Sequence, residues 1–433
     1  MKQCLNTSVL TLLMGIAVAI PAWGEEDGLE LSQAIAIAQA RDPWLSGSQY
    51  TQDALEAEAT SAGTLPDPVV SLSAANLPVD TFDTGQEGMT QFSVGITQMF
   101  PRGDTLALLE RQKRQLGRQH PFMRQDRKAK VAATVSQLWL EAYQSQQTIM
   151  LIEKDRDLFE QLVDVTQINY ASALGAARQQ DVIRAQLELI RLDDRLTSLN
   201  QQMEASKQLL SEWIGQEAVS QPLVSELPEL TLAMPKLAQA STQLSRQEAG
   251  QVLVRHPAVK ALDMEIEAVK TGIDLAYQKY RPEWSVMAKY GYRDADPQGN
   301  ERADLFTAGV AFDLPVFTQK KQDKEVVAAT ARAESIKTDK ALLLRNMLAK
   351  LEQSKVKLIR LNERMALYNK RLIPQLNEQA EASLEAYNND DGDFAEAVRA
   401  YIDELDTKIE FLNIAVARQQ LIAAINYYLA GIE

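Results

Sequence analysis

The sequence predicts a mainly α-helical protein with a small membrane β-barrel portion, and three observations predict it. Helical spacing of apolar residues covers most of the 433 residues. Two pairs of short segments alternate apolar and polar side chains instead, which is the period of a β-strand. The pattern of helix, hairpin, long helix, turn and long helix then occurs a second time, with Pro66 recurring as Pro282. A duplicated long-helix and β-hairpin repeat is therefore the predicted fold.

The clearest strand is predicted at 91–100. In QFSVGITQMF, Phe92, Val94 and Ile96 fall on one face, and small or polar residues such as Gly95 fall on the other. The same alternation predicts three further strands, at about 69–77, 284–292 and 305–314. These make two hairpins, one in each half of the chain.

The first residues predict export. Lys2 precedes an apolar run, and a small residue, Gly24, comes before an acidic start, so 1–24 is predicted to be a cleaved signal peptide. The only cysteine, Cys4, lies within it, so the mature chain is expected to have no disulfide and no lipid-carrying cysteine. Loss of Lys2 takes the net charge from −14 to −15, which disfavours a nucleic-acid partner.

The rest of the chain divides into two repeats. The first, 25–244, has predicted long helices at about 105–173 and 177–213, where Pro121 is expected to kink or divide the former. A proline-rich connector without a sustained period follows at 216–244. The second repeat, 245–433, has predicted long helices at about 318–387 and 394–429. Within 177–213, apolar residues recur every three or four positions, as in coiled coils.

Four strands per chain predict an oligomer. No segment after the signal is apolar over the roughly 18 residues of a membrane helix, so a bilayer crossing would need strands. An open sheet would leave backbone groups unpaired in hydrocarbon, and closed membrane barrels have at least about eight strands. Two copies would supply eight strands with a filled interior, and three would supply twelve with a lumen. The faces rich in Gly, Ser and Thr favour a wet lumen, and hence a homotrimer.

The order and spacing of short motifs over about 29–431 resemble the TolC family of outer-membrane efflux ducts. The residues that carry the resemblance are Leu65-Pro66-Asp67-Pro68, Gln98-Met99-Phe100-Pro101, Tyr170 before Gly175, and Pro374 followed by Tyr387 and Gly392. The resemblance implies a homotrimer with a twelve-stranded barrel in the outer membrane, in contact with its lipid, and a helical tunnel through the periplasm. It also implies docking through a periplasmic adaptor onto an inner-membrane pump of the resistance-nodulation-division (RND) class.

Within that family, the run from Leu77-Pro78 to Arg102-Gly103 is similar to the heavy-metal branch of the CusC and CzcC type. This chain departs from many members of that branch because it lacks a lipobox cysteine. The resemblance implies a passive duct for metal ions or small toxic compounds. A duct for type I protein secretion and a periplasmic coiled-coil scaffold without a pore are the alternatives.

The resemblance also implies that the tunnel closes at the two helix-helix turns, 174–181 and 388–396. Threefold symmetry would turn each carboxylate there into a ring that prefers cations. By position, Asp181 and Glu396 best match the family's acidic aperture, although Arg399 stands where a second acidic residue is found. The alternative is that these residues only cap helices. The aperture candidates are Asp181, Asp390, Asp391, Asp393 and Glu396.

Two further sets of residues are candidates for contacts. The turn residues Leu174, Gly175 and Gly392 are candidates for adaptor contact, against plain turn chemistry as the alternative. The strand aromatics Trp284, Tyr290 and Tyr292 are candidates for an interfacial girdle, against ordinary strand packing.

No enzyme site, cofactor site or metal site is predicted. The sequence has no glycine-rich phosphate motif and no nucleophile elbow. Its two histidines, His120 and His256, lie far apart in sequence, and the methionines follow apolar helical stripes that favour core packing.

Overall fold

The computed structural model describes residues 28–171, 178–238, 246–389 and 394–432, so the predicted signal peptide lies outside the described residues. Ten α-helices and four strands are found in these ranges, together with a 3₁₀ turn at Pro235–Ala238 and a π-helical turn at Tyr368–Leu372. In chain order they are α1 Leu31–Arg41, α2 Pro43–Ala62, β1 Val69–Ala75, β2 Gln91–Phe100, α3 Thr105–Ala171, α4 Gln179–Ile214, α5 Gln216–Val219, α6 Arg246–Leu253, α7 Pro257–Gln278, β3 Trp284–Tyr292, β4 Leu305–Phe312, α8 Gln322–Leu367, α9 Ile373–Asn388 and α10 Phe394–Tyr428.

The four strands form one antiparallel sheet in the order β1-β2-β3-β4. The two hairpins are joined through β2 and β3, which pair from Phe92 opposite Tyr292 to Phe100 opposite Trp284. β1 ends two residues before its predicted end because Asn76 takes a positive φ of 56° and turns the chain. Each outer strand, β1 and β4, has one edge without a strand partner in the described chain.

The first helical segment is interrupted at Asp42. Its carboxylate accepts a hydrogen bond of 3.0 Å from the Trp44 amide, and Pro43 begins α2, the arrangement of a capped helix start. The same carboxylate pairs with the Arg127 guanidinium at 2.7 Å. That guanidinium lies 5.9 Å from the Trp44 ring centre and 5.3 Å from that of Trp213. One arginine thus ties α2 to α3 and α4 through an ion pair and two cation-π contacts.

The longest helix, α3, has 67 residues and extends about 100 Å at 1.5 Å per residue. Pro121 lies inside it without dividing it, so of the two predicted outcomes the division does not occur. An interior proline costs about 3 kcal/mol because it removes a backbone hydrogen bond. Contacts of α3 with α2 and α7 offset that cost, and near Pro121 they include hydrogen bonds of His120 with Ser48 and of Gln115 with Thr271.

The first long helix of the second repeat, predicted as a single span of 318–387, is divided in the structure. It consists of α8, a π-helical turn and α9, with Pro374 in the first turn of α9. The ring of a proline clashes with the carbonyl four residues earlier, and the wider π-helical turn before Pro374 accommodates this clash. The chain therefore stays helical from Gln322 to Asn388.

The described part of the predicted connector, 216–238, packs against the helices. Val219 and Leu223 are buried in a core around Trp139, and the Leu29 amide donates a hydrogen bond of 2.7 Å to the Pro222 carbonyl. A second core joins the C-terminal half of α3 to the N-terminal halves of α4 and α10, at the end of the long helices that we call the tip. A third core joins α6 and α7 to α8 and α10. In the described ranges, no helix combines the length and the apolar composition that a bilayer crossing requires.

The buried histidine His256 predicts a pH dependence of stability. It is fully buried, its Nδ1 accepts from the Ala258 amide at 3.2 Å, and its Nε2 therefore donates to the Tyr427 carbonyl at 2.9 Å. Burial lowers the pKa of His256 from its ordinary value, and burial with nearby Arg124 lowers the pKa of His120. The unfolded chain therefore takes up more protons, so the free energy of unfolding falls as the pH drops below about 6.5.

The thermal unfolding midpoint, followed by the helical circular dichroism signal, checks this between about pH 7.5 and about pH 5. The variant His256→Asn keeps a side chain that can cap α7. In combination with His120→Gln, it is expected to reduce the fall of the unfolding midpoint with decreasing pH. An unchanged slope in the double variant would assign the pH dependence to other groups.

Candidate functional site

The sheet has one continuous apolar face that no other part of the described chain covers. Residues directly opposite one another in the ladder share this face, as in the row Leu72, Val94, Tyr290 and Phe306. Their exposed fractions are 78%, 54%, 52% and 73%. The large exposed side chains of this face are Val70, Leu72, Phe92, Val94, Ile96, Phe100, Trp284, Val286, Tyr290, Tyr292, Phe306, Val310 and Phe312.

The opposite face of the sheet carries mostly small and polar side chains, together with three exposed large apolar ones, Val69, Met99 and Met287. Ser73 and Ser93 are hydrogen-bonded at 2.9 Å between their Oγ atoms, and Lys289 lies between Gly95 and Thr307 in the ladder. Gly95 lies against Ser71, where an added Cβ would be only 2.8 Å from the hydroxyl oxygen. The sheet therefore separates a large apolar face from one in which small and polar side chains predominate.

The predicted girdle aromatics lie at two ends of this face. Trp284 begins β3 and its ring lies 4.7 Å from that of Phe312, next to the helices. Tyr290 and Tyr292 lie towards the other end of the same strand, next to the loops, six and eight strand steps from Trp284, or about 20 Å and about 27 Å away. The structure thus does not bring the three residues together, and it places aromatic residues at both borders of the apolar band.

A charged joint between the sheet and the helices was missed by the sequence analysis. Arg102, between β2 and α3, pairs with Asp313 after β4 and with Glu283 before β3, the latter at 3.5 Å. Asp313 accepts a hydrogen bond of 2.8 Å from the Glu283 amide, and this bond, with Arg102, lowers the pKa of Asp313. Gly103 has a positive φ of 46°, and a Cβ there would lie 2.4 Å from the Gln278 side-chain oxygen.

This joint connects both hairpins to their helices at one point. The sequence signal that could have found it is the opposite charge of residues that follow or precede the strands. Opposite charges at these positions predict an ion pair only when β2 and β3 are known to be neighbours in the sheet.

At the other end of the long helices, two aperture candidates are described. The Asp181 carboxylate accepts a hydrogen bond of 2.9 Å from the Arg178 amide at the start of α4, which is the geometry of a helix cap. Glu396 is exposed in the first turn of α10, beside Phe394, whose ring packs 5.4 Å from that of Tyr387. The other predicted residues of the tip lie outside the described residues: Leu174, Gly175, Asp390, Asp391, Gly392 and Asp393.

Partly exposed ion pairs link the helices above this tip. Arg195 on α4 pairs with Asp406 on α10 at 2.5 Å, and Arg364 on α8 pairs with Glu410 on α10 at 2.7 Å. Solvent-exposed pairs of this kind contribute about 0 to 1 kcal/mol each. The helices near the tip are thus held by weak polar contacts around an apolar seam.

Among the described residues, no group of three or more His, Cys, Asp or Glu side chains is arranged to hold a metal ion. His120 lies on α3 and His256 directly before α7, and each has hydrogen-bond partners in the protein. The Nδ1 of His120 is hydrogen-bonded to Ser48 at 3.0 Å, and His256 caps α7.

Comparison with known proteins rests on solved structures. No family model and no curated protein sequence matches the chain. The outer-membrane channel OprN is similar with a TM-score of 0.74 and 15% identity, over 93% of this chain and 90% of that one. The outer membrane protein VceC of Vibrio cholerae has a TM-score of 0.73 and 14% identity over 93% and 97%. CusC, described as forming a transmembrane channel, has a TM-score of 0.71 and 13% identity over 94% and 95%.

Proposed function

We propose that this chain, which has the fold of the TolC-family outer-membrane channels as the sequence predicted, is a passive exit duct. Its sheet crosses the outer membrane, and its helices extend into the periplasm. Transport needs no covalent chemistry by this chain, and the driving energy comes from a partner in the inner membrane. The non-enzymatic assignment is part of the proposal.

The observation that carries the proposal is the exposed apolar face of the sheet. Full burial of one Val, Leu or Phe side chain is worth about 1.5 to 3 kcal/mol, and thirteen large side chains are exposed here together. A water-soluble scaffold gains nothing from such a face, whereas hydrocarbon accepts it. The unpaired edges of β1 and β4 must then be closed, because no water is present in the bilayer core to satisfy them.

Three copies form a closed barrel of twelve strands, and this barrel fits the small and polar face of the sheet better than a barrel of eight strands. A barrel of eight strands is filled by its own side chains, whereas twelve strands leave a lumen. The inner face that we assign carries Ser71, Ser73, Ser93 and Lys289, which suit contact with water. The homotrimer therefore has a hydrophilic channel that continues into the helices.

We assign the periplasmic tip to gating and docking. The turns with Leu174, Gly175 and Gly392 contact a periplasmic adaptor, which connects the duct to an inner-membrane RND pump. The carboxylates of the tip form rings at the narrowest point. The ion pairs between these helices contribute about 0 to 1 kcal/mol each, so adaptor binding has to offset mainly the exposure of the apolar core that joins α3, α4 and α10.

The proposed cargo is metal ions or small toxic compounds. The likeness to CusC, at a TM-score of 0.71, does not exceed that to OprN at 0.74, so the fold gives the metal branch no special weight. A duct for type I protein secretion is the alternative. Deletion of the gene, followed by tests of tolerance to metals, dyes and detergents and by a test of protein secretion, separates the two.

Single-channel conductance in planar bilayers tests the duct. The purified mature protein is expected to give small, cation-selective openings, because carboxylate rings concentrate cations at a constriction. Asp393→Ala and Glu396→Ala are expected to enlarge the openings or to reduce the preference for cations several-fold. Glu352→Ala, which changes an exposed carboxylate in the middle of α8, is the matched control.

A protein that never inserts or conducts, in any variant, would contradict the duct and favour the periplasmic scaffold. Openings that keep their size and selectivity in both tip variants would leave the duct in place and remove these two residues from the aperture.

A further inference from the structure

The segment 314–321, between β4 and α8, exposes apolar side chains that the proposed function does not yet use. Leu314 is 66% exposed, Val316 is 68% exposed and Phe317 is 89% exposed. Phe317 is the most exposed large apolar side chain of the described residues. It lies beyond the end of β4, so it is not part of the alternating strand face.

The segment is held by fixed ends. Before it, Asp313 is bound to Arg102 and to the Glu283 amide. In its second half, the Thr318 carbonyl accepts hydrogen bonds from the amides of Lys321 at 3.2 Å and Asp323 at 3.1 Å, at the start of α8. The exposed apolar side chains of the segment thus lie on an ordered turn, so binding does not need to order them.

The same segment carries positive charge in an acidic chain of net charge −14. Lys320, Lys321 and Lys324 are exposed, and none of them forms an ion pair within the described ranges. The adjacent acidic groups are engaged elsewhere: Asp323 accepts from the Tyr280 hydroxyl at 2.6 Å, and Glu325 pairs with Lys279 at 3.1 Å. The lysines are therefore available for an anionic partner.

The corresponding connection in the first repeat lacks these features. Only residues 101–104 separate β2 from α3, and they are engaged in the charged joint through Arg102 and Gly103. Between β4 and α8 the connection covers 313–321. The exposed apolar side chains and the lysines thus belong to the second repeat alone, which gives one such segment per chain.

We propose that the segment 314–321 anchors the protein in the periplasmic leaflet of the outer membrane by binding anionic phospholipid. This inference rests on the proposed function. Leu314, Val316 and Phe317 enter the boundary between headgroups and acyl chains, and Lys320 and Lys321 bind the headgroup phosphate. Exposed apolar side chains followed by lysines are the arrangement that interfacial membrane anchors use.

Two observations favour lipid over a second copy of the chain as the binding partner of this segment: its apolar surface continues that of the strands, and its lysines are positively charged. Leu314 follows Phe312, the last residue of the apolar strand face, by two positions, so the apolar surface extends towards the periplasmic border of the membrane. Anionic lipid attracts each nearby lysine with a free energy that corresponds to about a fivefold change in affinity.

A site-specific fluorescent label tests the proposal. Cys4 is the only cysteine, so a Cys4→Ser background has no other thiol to label. Two single-cysteine variants are made in this background, Phe317→Cys and, on the strand face, Val310→Cys. Each carries one environment-sensitive fluorophore. The protein is reconstituted in phosphatidylcholine bilayers that contain nitroxide-labelled phosphatidylglycerol or phosphatidylcholine, with the nitroxide near the top of the acyl chain for the label at 317 and near its end for the label at 310. Half-quenching concentrations are compared.

We expect the label at 317 to be quenched in the bilayer, and more readily by phosphatidylglycerol than by phosphatidylcholine. Lys320→Glu with Lys321→Glu is expected to weaken the response to phosphatidylglycerol by at least about fivefold per lysine, because loss of each positive charge alone has that effect and each added carboxylate is repelled. Lys350→Glu, an exposed lysine further along α8, should leave that response unchanged.

The label at 310 separates the two proposals. Quenching at 310 without quenching at 317 would overturn the anchor and keep the duct, whether the label at 317 is in water or shielded by a neighbouring copy. Quenching at 317 but not at 310 would keep the anchor and overturn the membrane-crossing sheet. Quenching at neither position would overturn both.

Discussion

Arginine in place of Val310 is expected to prevent assembly of the protein in a bilayer, whereas arginine in place of Thr307 is not. Both residues lie on β4 at similar distances from its centre, but Val310 is on the apolar face and Thr307 shares the other face with Lys289. An arginine facing lipid near the midplane costs about 2 to 4 kcal/mol in each chain. The recovery of oligomer from detergent-solubilised outer membranes measures the effect.

Thr307→Arg serves as the matched control because it adds the same side chain to the same strand. Equal recovery of both variants would mean that the apolar face does not meet lipid. Loss of the oligomer in the control alone would reverse the assignment of the two faces.

The replacement of Trp139 by alanine is expected to give the largest loss of stability outside the sheet. Trp139 is fully buried, its indole donates to the Leu29 carbonyl at 3.2 Å, and its ring stacks on Tyr143 at 5.3 Å. A change from buried tryptophan to alanine costs about 3 to 5 kcal/mol. The midpoint of thermal loss of the helical circular dichroism signal, at a fixed scan rate, is expected to fall accordingly.

The matched control is Trp44→Ala. Trp44 is 36% exposed and contacts the Arg127 guanidinium, a contact worth about 0.5 to 1 kcal/mol at an exposed site. Similar midpoints for the two alanine variants would show that the core around Trp139 does not limit stability.

The strands could be predicted from the sequence because alternation of side chains is a local signal. β2 occupies its predicted range, and a local helix-start signal, Asp42 followed by Pro43, is found at the start of α2. Pro121 shows the limit of local rules, since the packing of α2 and α7 on α3 outweighs the cost of an interior proline.

The order of the sheet was not predictable from the same signals. Alternation shows that a strand exists and does not show which strand is its neighbour, so the pairing of β2 with β3 appears only in the structure. The charged joint of Arg102, Glu283 and Asp313 depends on that pairing and was missed for the same reason. The two borders of aromatic residues likewise follow from the direction of β3.

The pairing of β2 with β3 also sets the order in which the chain can fold. Each hairpin joins strands that are close in sequence, but Phe92 pairs with Tyr292, and the long helices lie between them. Contacts between distant segments form late because closing a long loop costs chain entropy first. A lone two-stranded hairpin is only marginally stable in water. The helices must therefore fold and pack before the four strands join, and until then the chain has exposed strand edges and depends on protection from aggregation.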